Sequence, residues 1–248
     1  AKVDRFAPLP IFLFQFWYRR TKMISLLASV IRAHPDWLRS SGRPLSYMKI
    51  STPSSGKEGN KGKVILFVFE EKEKMPTLCV KTVRTYAHAE IIRRNHVNLQ
   101  LLQEGVRGSA NADLFAQPLY LYDDGEVIFC IESVCMGGAF SGNPREIELV
   151  VKKYCAWQSH LAQNDENVWR AKDIQKFGQT LIRSLELSKA AERELTDYYG
   201  IFSLNPDTQL PVLVQHGDMT PNNVLVSGSV IYIIDYDYVG AGILPGFD

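Results

Sequence analysis

The segment "HGDMTPNNVL" (His216–Leu225), followed after a short apolar hairpin by "IIDYDYVG" (Ile233–Gly240), decides how this chain is read. It lies among stretches written like buried strands, "PVLV" before it and "VLV" in its tail. Asp and Asn are poor strand residues and cost free energy when buried without partners, so local stability does not ask for them. Asp218 and Asn223 stand five positions apart on a loop entered from one strand and left by another. Ser227-Gly228 marks a tight turn, and "VIYIID" is expected to return as the second hairpin strand with Asp235 at its end. That pairing would bring one amide oxygen and two carboxylates together. Hard oxygen donors suit Mg²⁺, which takes one or two protein carboxylates and fills its shell with water and phosphate oxygens. A further carboxylate nearby can accept a proton from an attacking hydroxyl. For any one of these residues a capped polar turn would explain as much; the ordered set asks for more.

The remaining chain is written as an ordinary globular protein. Of 248 residues, 46% are hydrophobic and 22% charged, enough for one large domain or two modest ones. Lys+Arg 28 against Asp+Glu 27 gives no support to nucleic-acid binding. The cysteines (Cys79, Cys130, Cys135, Cys155) form no CxxC pair, and three lie in apolar runs. They read as buried free thiols of a reducing compartment, hence a cytoplasmic expectation. The five histidines are scattered and indicate no zinc site. At the N-terminus, "FAPLPIFLFQFWY" (Phe6–Tyr18) falls short of the ~20 residues a bilayer crossing needs and lacks a signal-peptide cleavage site. With "ISLLASVI" (Ile24–Ile31) it reads as a docked helix, a peripheral membrane contact being the alternative.

"LSYMKIS", "VILFVFEE" and "MPTLCVKTV", the first two separated by the polar loop Ser51–Lys63, read as an antiparallel meander. A helix is expected over about Tyr86 to Leu102, with Ala87, Ile91, Ile92, Leu99 and Leu102 on one side. "QPLYLYDDGEVIFCIES" reads as a hairpin turning at Asp124-Gly125. "MGGAFSGNP" then breaks the pattern before two helical stretches, "REIELVVKKYCAWQSHLAQ" and "DIQKFGQTLIRSLELSKAAERELTDYY". The layout is α+β and two-lobed: a sheet-rich lobe, a hinge near 133–142, and a helical lobe with a late hairpin.

The C-terminal motifs resemble those of the aminoglycoside phosphotransferase family, which is related to choline kinases and shares the protein-kinase-like fold. The resemblance implies a small antiparallel-sheet N-lobe over 45–132, a mainly helical C-lobe over 133–248, and an extension over 1–44. It implies transfer of the γ-phosphoryl group of ATP or GTP to a small-molecule hydroxyl, with Mg²⁺. Asp218 would be the catalytic base, Asn223 and Asp235 the metal ligands, and Asp237 a further candidate on the same side of an extended strand. Lys81, in "TLCVKTV", stands where the family's strand lysine holds the α/β-phosphates. Ser55 and Gly56 lie in the loop whose backbone would cover the nucleotide, and Glu132 and Val134 where the hinge would meet the base through main-chain atoms.

Two features depart from the pattern. The helix after Lys81 carries Asn95 on its apolar face, where the family has a glutamate, so the lysine's partner is either Glu90 through a shifted helix or Asn95 itself. The sequence ends at Asp248, where family members continue through further helices, so a truncated C-lobe is expected. The alternative function is a catalytically weakened kinase-like fold that binds a nucleotide or a partner.

Overall fold

The structure, a computed structural model, describes residues 11–40, 43–51, 63–109, 111–162, 168–184, 187–203, 205–211 and 213–242. In chain order the elements are α1 (Ile11–Ala33), β1 (Leu45–Ser51), β2 (Lys63–Glu70), β3 (Leu78–Val83), α2 (Ala89–Val106), β4 (Pro118–Asp123), β5 (Ile128–Ser133), β6 (Gly138–Ala139), α3 (Pro144–Ala162), β7 (Val168–Arg170), α4 (Ala171–Ser184), α5 (Lys189–Gly200), β8 (Gln209–Pro211), β9 (Leu213–Gln215), β10 (Val224–Ser227), β11 (Val230–Ile233) and β12 (Gly240–Gly242). The fold is α+β, and the chain divides into two compact units.

The first unit comprises 1–97 and 117–134. Its five-stranded sheet has the order β1-β2-β3-β5-β4, and all its pairings are antiparallel. Alternation assigns the faces. Val64, Leu66, Val68, Val80, Phe129 and Ile131 pack with Leu27 and Ile31 of α1. Ile128 and Cys130, on the other face, pack with Ala89 and Ile92 of α2. The sheet is thus a middle layer between two helices. Lys22 ties α1 to the β4–β5 turn through Asp124 at 3.0 Å and Glu126 at 2.7 Å. None of the helices is long and apolar enough to cross a membrane, among the described residues.

The second unit comprises 98–116 and 135–248. Leu99, Leu102 and Val106 of α2, with Leu114 and Phe115, form one core with Tyr154 and Trp157 of α3, Ile231, Ile233 and Tyr236. Its strands form three small sheets, β11-β10-β6, β12-β9 and β7-β8.

The unit boundaries and the start of α2 differ from those read in the sequence. The compact units include α1 in the first and divide α2 after Val97, whereas the expected segments broke after 44 and 132. The reason is packing: α1 completes the sheet's core, and the C-terminal half of α2 completes that of the second unit. α2 begins at Ala89, after a 3₁₀ turn over Tyr86–His88 that shifts the helical phase, so Ala89 is buried and Ala87 exposed. The loop 52–62, with Ser55 and Gly56, lies outside the described residues.

Candidate functional site

The loop from β9 to β10 is fixed residue by residue. His216 is fully buried, and its Nε2 donates to the Ile234 carbonyl at 3.0 Å. Its backbone N–H donates to the Tyr154 hydroxyl at 3.3 Å. Gly217 adopts φ +79°, and a Cβ there would stand 2.5 Å from the Tyr238 carbonyl oxygen, so only glycine fits. Asp218 follows, half-buried. Pro221 opens a 3₁₀ turn over Pro221–Asn223, where its fixed φ is suitable and its missing N–H costs nothing. That turn delivers Asn223, whose Nδ2 donates to the Asp218 backbone carbonyl at 2.8 Å and to Asp218 Oδ2 at 3.0 Å.

The hairpin then brings the second acid back. β10 and β11 pair with Val224 opposite Ile233, and the Ile234 N–H donates to the Asn223 carbonyl at 2.9 Å. Ile234 is therefore held twice, by His216 and by Asn223, and Asp235 is its neighbour. Asp218, Asn223 and Asp235 all belong to the second unit, with Asn223 bonded to Asp218 and to the residue before Asp235. Asp235 has φ +69°, a left-handed conformation uncommon outside glycine and the Asn/Asp class. Strained backbone of this kind clusters at working sites.

Tyr236 fixes the other flank. It is fully buried, donates its hydroxyl to the Ile233 carbonyl at 2.7 Å, and accepts from the Ala116 N–H at 3.2 Å. Its carbonyl accepts from Asn98 Nδ2 at 2.6 Å. The premise for Asp237 is corrected here: β11 ends at Ile233, and the Tyr236 carbonyl closes a turn onto Val239 at 3.5 Å. Residues 235–237 are not an extended strand, so the expectation that Asp235 and Asp237 share a side loses its basis.

In the first unit, Lys81 lies on the central strand β3 with a side chain 5% exposed. Its Nζ is 2.8 Å from Glu132 Oε1 on β5 and 3.3 Å from Asn95 Oδ1 on α2. Burial pulls the ammonium's pKa down, but the Glu132 carboxylate and the flanking cysteines more than offset this and raise it overall. His96 beside them is pushed below the ordinary histidine value by burial, against the pull of Glu132. Glu90, the other partner considered from sequence, pairs with Arg93 at 3.2 Å on the surface. Val134 lies one residue past β5.

Sequence reasoning assigned Glu132 only a main-chain part and missed its side chain. The pairing depends on β5 lying beside β3, with Cys79 opposite Glu132 and Lys81 opposite Cys130. No local pattern announces that non-consecutive register. The Tyr236 anchor was also missed, although an apolar ring between two acids was a readable signal.

Chemically, the loop presents a carboxylate held by an amide. The nitrogen of Asn223 is committed to Asp218, which leaves its oxygen as the end suited to a cation. An amide oxygen and a carboxylate are donors of the kind that suits a hard cation keeping several waters, such as Mg²⁺. Among the described residues no group of three or more His, Cys, Asp or Glu side chains is placed to hold a metal, so a cation bound through many protein ligands is not indicated there.

No family model matches the chain, and no curated protein matches it. Comparison with solved structures finds similarity at low identity. A mutant aminoglycoside 2'-phosphotransferase in its GDP complex is similar over 88% of this chain and 72% of its own, at 11% identity and a TM-score of 0.49. A spectinomycin phosphotransferase in complex with ADP and spectinomycin is similar over 87% of this chain and 69% of its own, at 15% identity and a TM-score of 0.42. A choline/ethanolamine kinase family protein from Mesorhizobium loti is similar over 88% of this chain and 66% of its own, at 13% identity and a TM-score of 0.37.

Proposed function

We propose that this protein is a kinase-like phosphotransferase that moves the γ-phosphoryl group of ATP or GTP to a hydroxyl of a small molecule. The observation that carries the reading is the Asp218–Asn223 pair, with Asn223 bonded through its backbone to the residue before Asp235. Asp218 accepts the proton of the attacking hydroxyl, and the Asn223 amide fixes the carboxylate's direction. Lys81 binds the α/β-phosphates as a permanently charged group. Mg²⁺, held by Asn223 and Asp235, would neutralise charge on the transferred group when bound. Little covalent work falls to the protein in such a reaction; positioning and charge supply most of the acceleration.

The test uses the full chain, Mg-ATP and a panel of hydroxyl acceptors that includes aminoglycosides and amino alcohols, with nucleoside diphosphate release as readout. Asp218→Ala is expected to lower turnover by about 10²–10⁴-fold, the usual worth of a general base, with Mg-ATP affinity within a few-fold of the parent. An unchanged turnover number rejects the assignment. One observation favours a second reading, a nucleotide-binding module without turnover: the residue of α2 that meets Lys81 is a neutral amide. Binding of Mg-ATP with no diphosphate release across the whole panel selects that reading.

A further inference from the structure

Helix α2 offers Lys81 no acid. The acid comes from the sheet, where Glu132 Oε1 lies 2.8 Å from Lys81 Nζ with the side chains 7% and 5% exposed. The strand register produces this directly. Cys79 faces Glu132 and Lys81 faces Cys130, so the four side chains share one face and the lysine meets the glutamate on the diagonal. A buried ion pair is a poor stabiliser, because removing two charges from water cancels most of their attraction. This pair carries a second cost, since Glu132 Oε2 is buried with no hydrogen-bond partner among the described residues. Two apolar residues would serve a purely structural core at least as well. A pair that costs this much is better explained by a task for the charge.

We propose that Glu132 is the positioning residue for Lys81: a carboxylate on β5 does the work otherwise given to a helix acid, while the Asn95 amide fixes the ammonium from the α2 side. The inference rests on the phosphotransferase reading of Lys81. It makes the lysine's aim chiefly a property of the sheet, set by the β3–β5 register.

The experiment measures binding of a non-hydrolysable ATP analogue with Mg²⁺ to the full chain by calorimetry, with turnover on any acceptor found. Glu132→Asp keeps the charge in the core but withdraws it by one methylene, and is expected to weaken nucleotide affinity about tenfold. Glu132→Gln is expected to weaken it by about tenfold to a hundredfold, the worth of a charged hydrogen bond. Adding Asn95→Glu to Glu132→Gln returns a carboxylate to the lysine from the helix side and is expected to recover most of the loss. Recovery is a result that a merely structural role for Glu132 does not produce.

Two failures are distinguishable. If Lys81→Ala abolishes nucleotide binding while folded Glu132→Asp and Glu132→Gln bind within twofold of the parent, the positioning role is overturned and the reading of Lys81 stands. A relocated acid that folds but binds no better than Glu132→Gln overturns it equally. If Lys81→Ala binds like the parent, or the parent binds nothing, the underlying reading falls and this inference falls with it. Should Glu132→Gln or the double variant fail to fold, Glu132→Asp decides by itself.

Discussion

At the scale of single residues, the motif "HGD" has a physical explanation for each letter. His216 pins the carbonyl of Ile234, Gly217 makes a turn closed to other side chains, and Asp218 receives the Asn223 amide. Gly217→Ala sets a Cβ against the Tyr238 carbonyl and strains φ +79°. It is expected to cost about 1–3 kcal/mol of stability by chemical denaturation, in the range of a forced left-handed residue. Turnover should fall further than stability alone accounts for, because Asp218 is the next residue. The cysteines give a second check on the Lys81 neighbourhood. Burial, then the Glu132 carboxylate, pushes the Cys130 thiol up to about 12 and raises Cys79 well above the ordinary thiol value. Cys155 is exposed. At pH 8 a small alkylating reagent should label Cys155 in the folded chain and leave Cys79 and Cys130 unmodified until denaturant is added; early labelling of Cys130 would contradict the packing described. Much of the loop was legible in the sequence because its logic is local: spacing, a turn-forming Pro and Gly, and a hairpin two residues wide. The part played by Glu132 was not, since nothing near it in sequence reveals which strand lies alongside.

At the scale of elements, the meander and the two hairpins follow from alternation and turn chemistry, and the strand order does not. A chain reading β3, α2, β4, β5 leaves open whether β4 or β5 meets β3, and the answer fixes what faces Lys81. β5 takes the inner place because its side chains are apolar on both faces, with Ile128 and Cys130 toward α2 and Phe129 and Ile131 toward α1. β4 is partly exposed along its length, as an edge strand should be. At the end of β2 one acid joins three segments. Glu70, 1% exposed, accepts from the Arg39 and Ser40 N–H groups at 2.8 Å each and from the Thr77 hydroxyl at 2.9 Å. Burial alone would raise its pKa, but these donors and Arg43 outweigh it, and the net shift is downward. An acid whose folded pKa is depressed contributes stability above its unfolded value, near 4.3, and loses it as pH falls through the folded value. Glu70→Gln turns one acceptor into a donor facing an N–H group, at an expected cost of about 1–3 kcal/mol near neutral pH. The stability gap between parent and variant should hold from pH 6 to 8 and shrink below about pH 4 in urea titrations. A gap that widened in acid would contradict the role given to the carboxylate.

At the scale of the whole molecule, neither compact unit is one continuous length of chain. Residues 98–116 belong with 135–248, and the second unit's core shows why. Leu99, Leu102, Val106, Leu114 and Phe115 are each 3% exposed or less, packed with Trp157, Tyr154 and Tyr236. Burying a large apolar side chain is worth about 1.5–3 kcal/mol, so five of them contribute on the order of 10 kcal/mol. That is as much as the whole net stability of an ordinary domain. The segment does more than fill space. The Ala116 N–H donates to the Tyr236 hydroxyl and the Asn98 amide to the Tyr236 carbonyl, so it holds the residue between Asp235 and Asp237. A fragment of residues 135–248, cut where the composition changes, is therefore expected to show no cooperative thermal transition and no near-ultraviolet dichroism from a packed Trp157. A fragment of residues 89–248 keeps the missing layer and is expected to show both. Cooperative unfolding of the shorter fragment would mean that the C-terminal segment builds its own core, and that the geometry around Asp235 does not depend on α2.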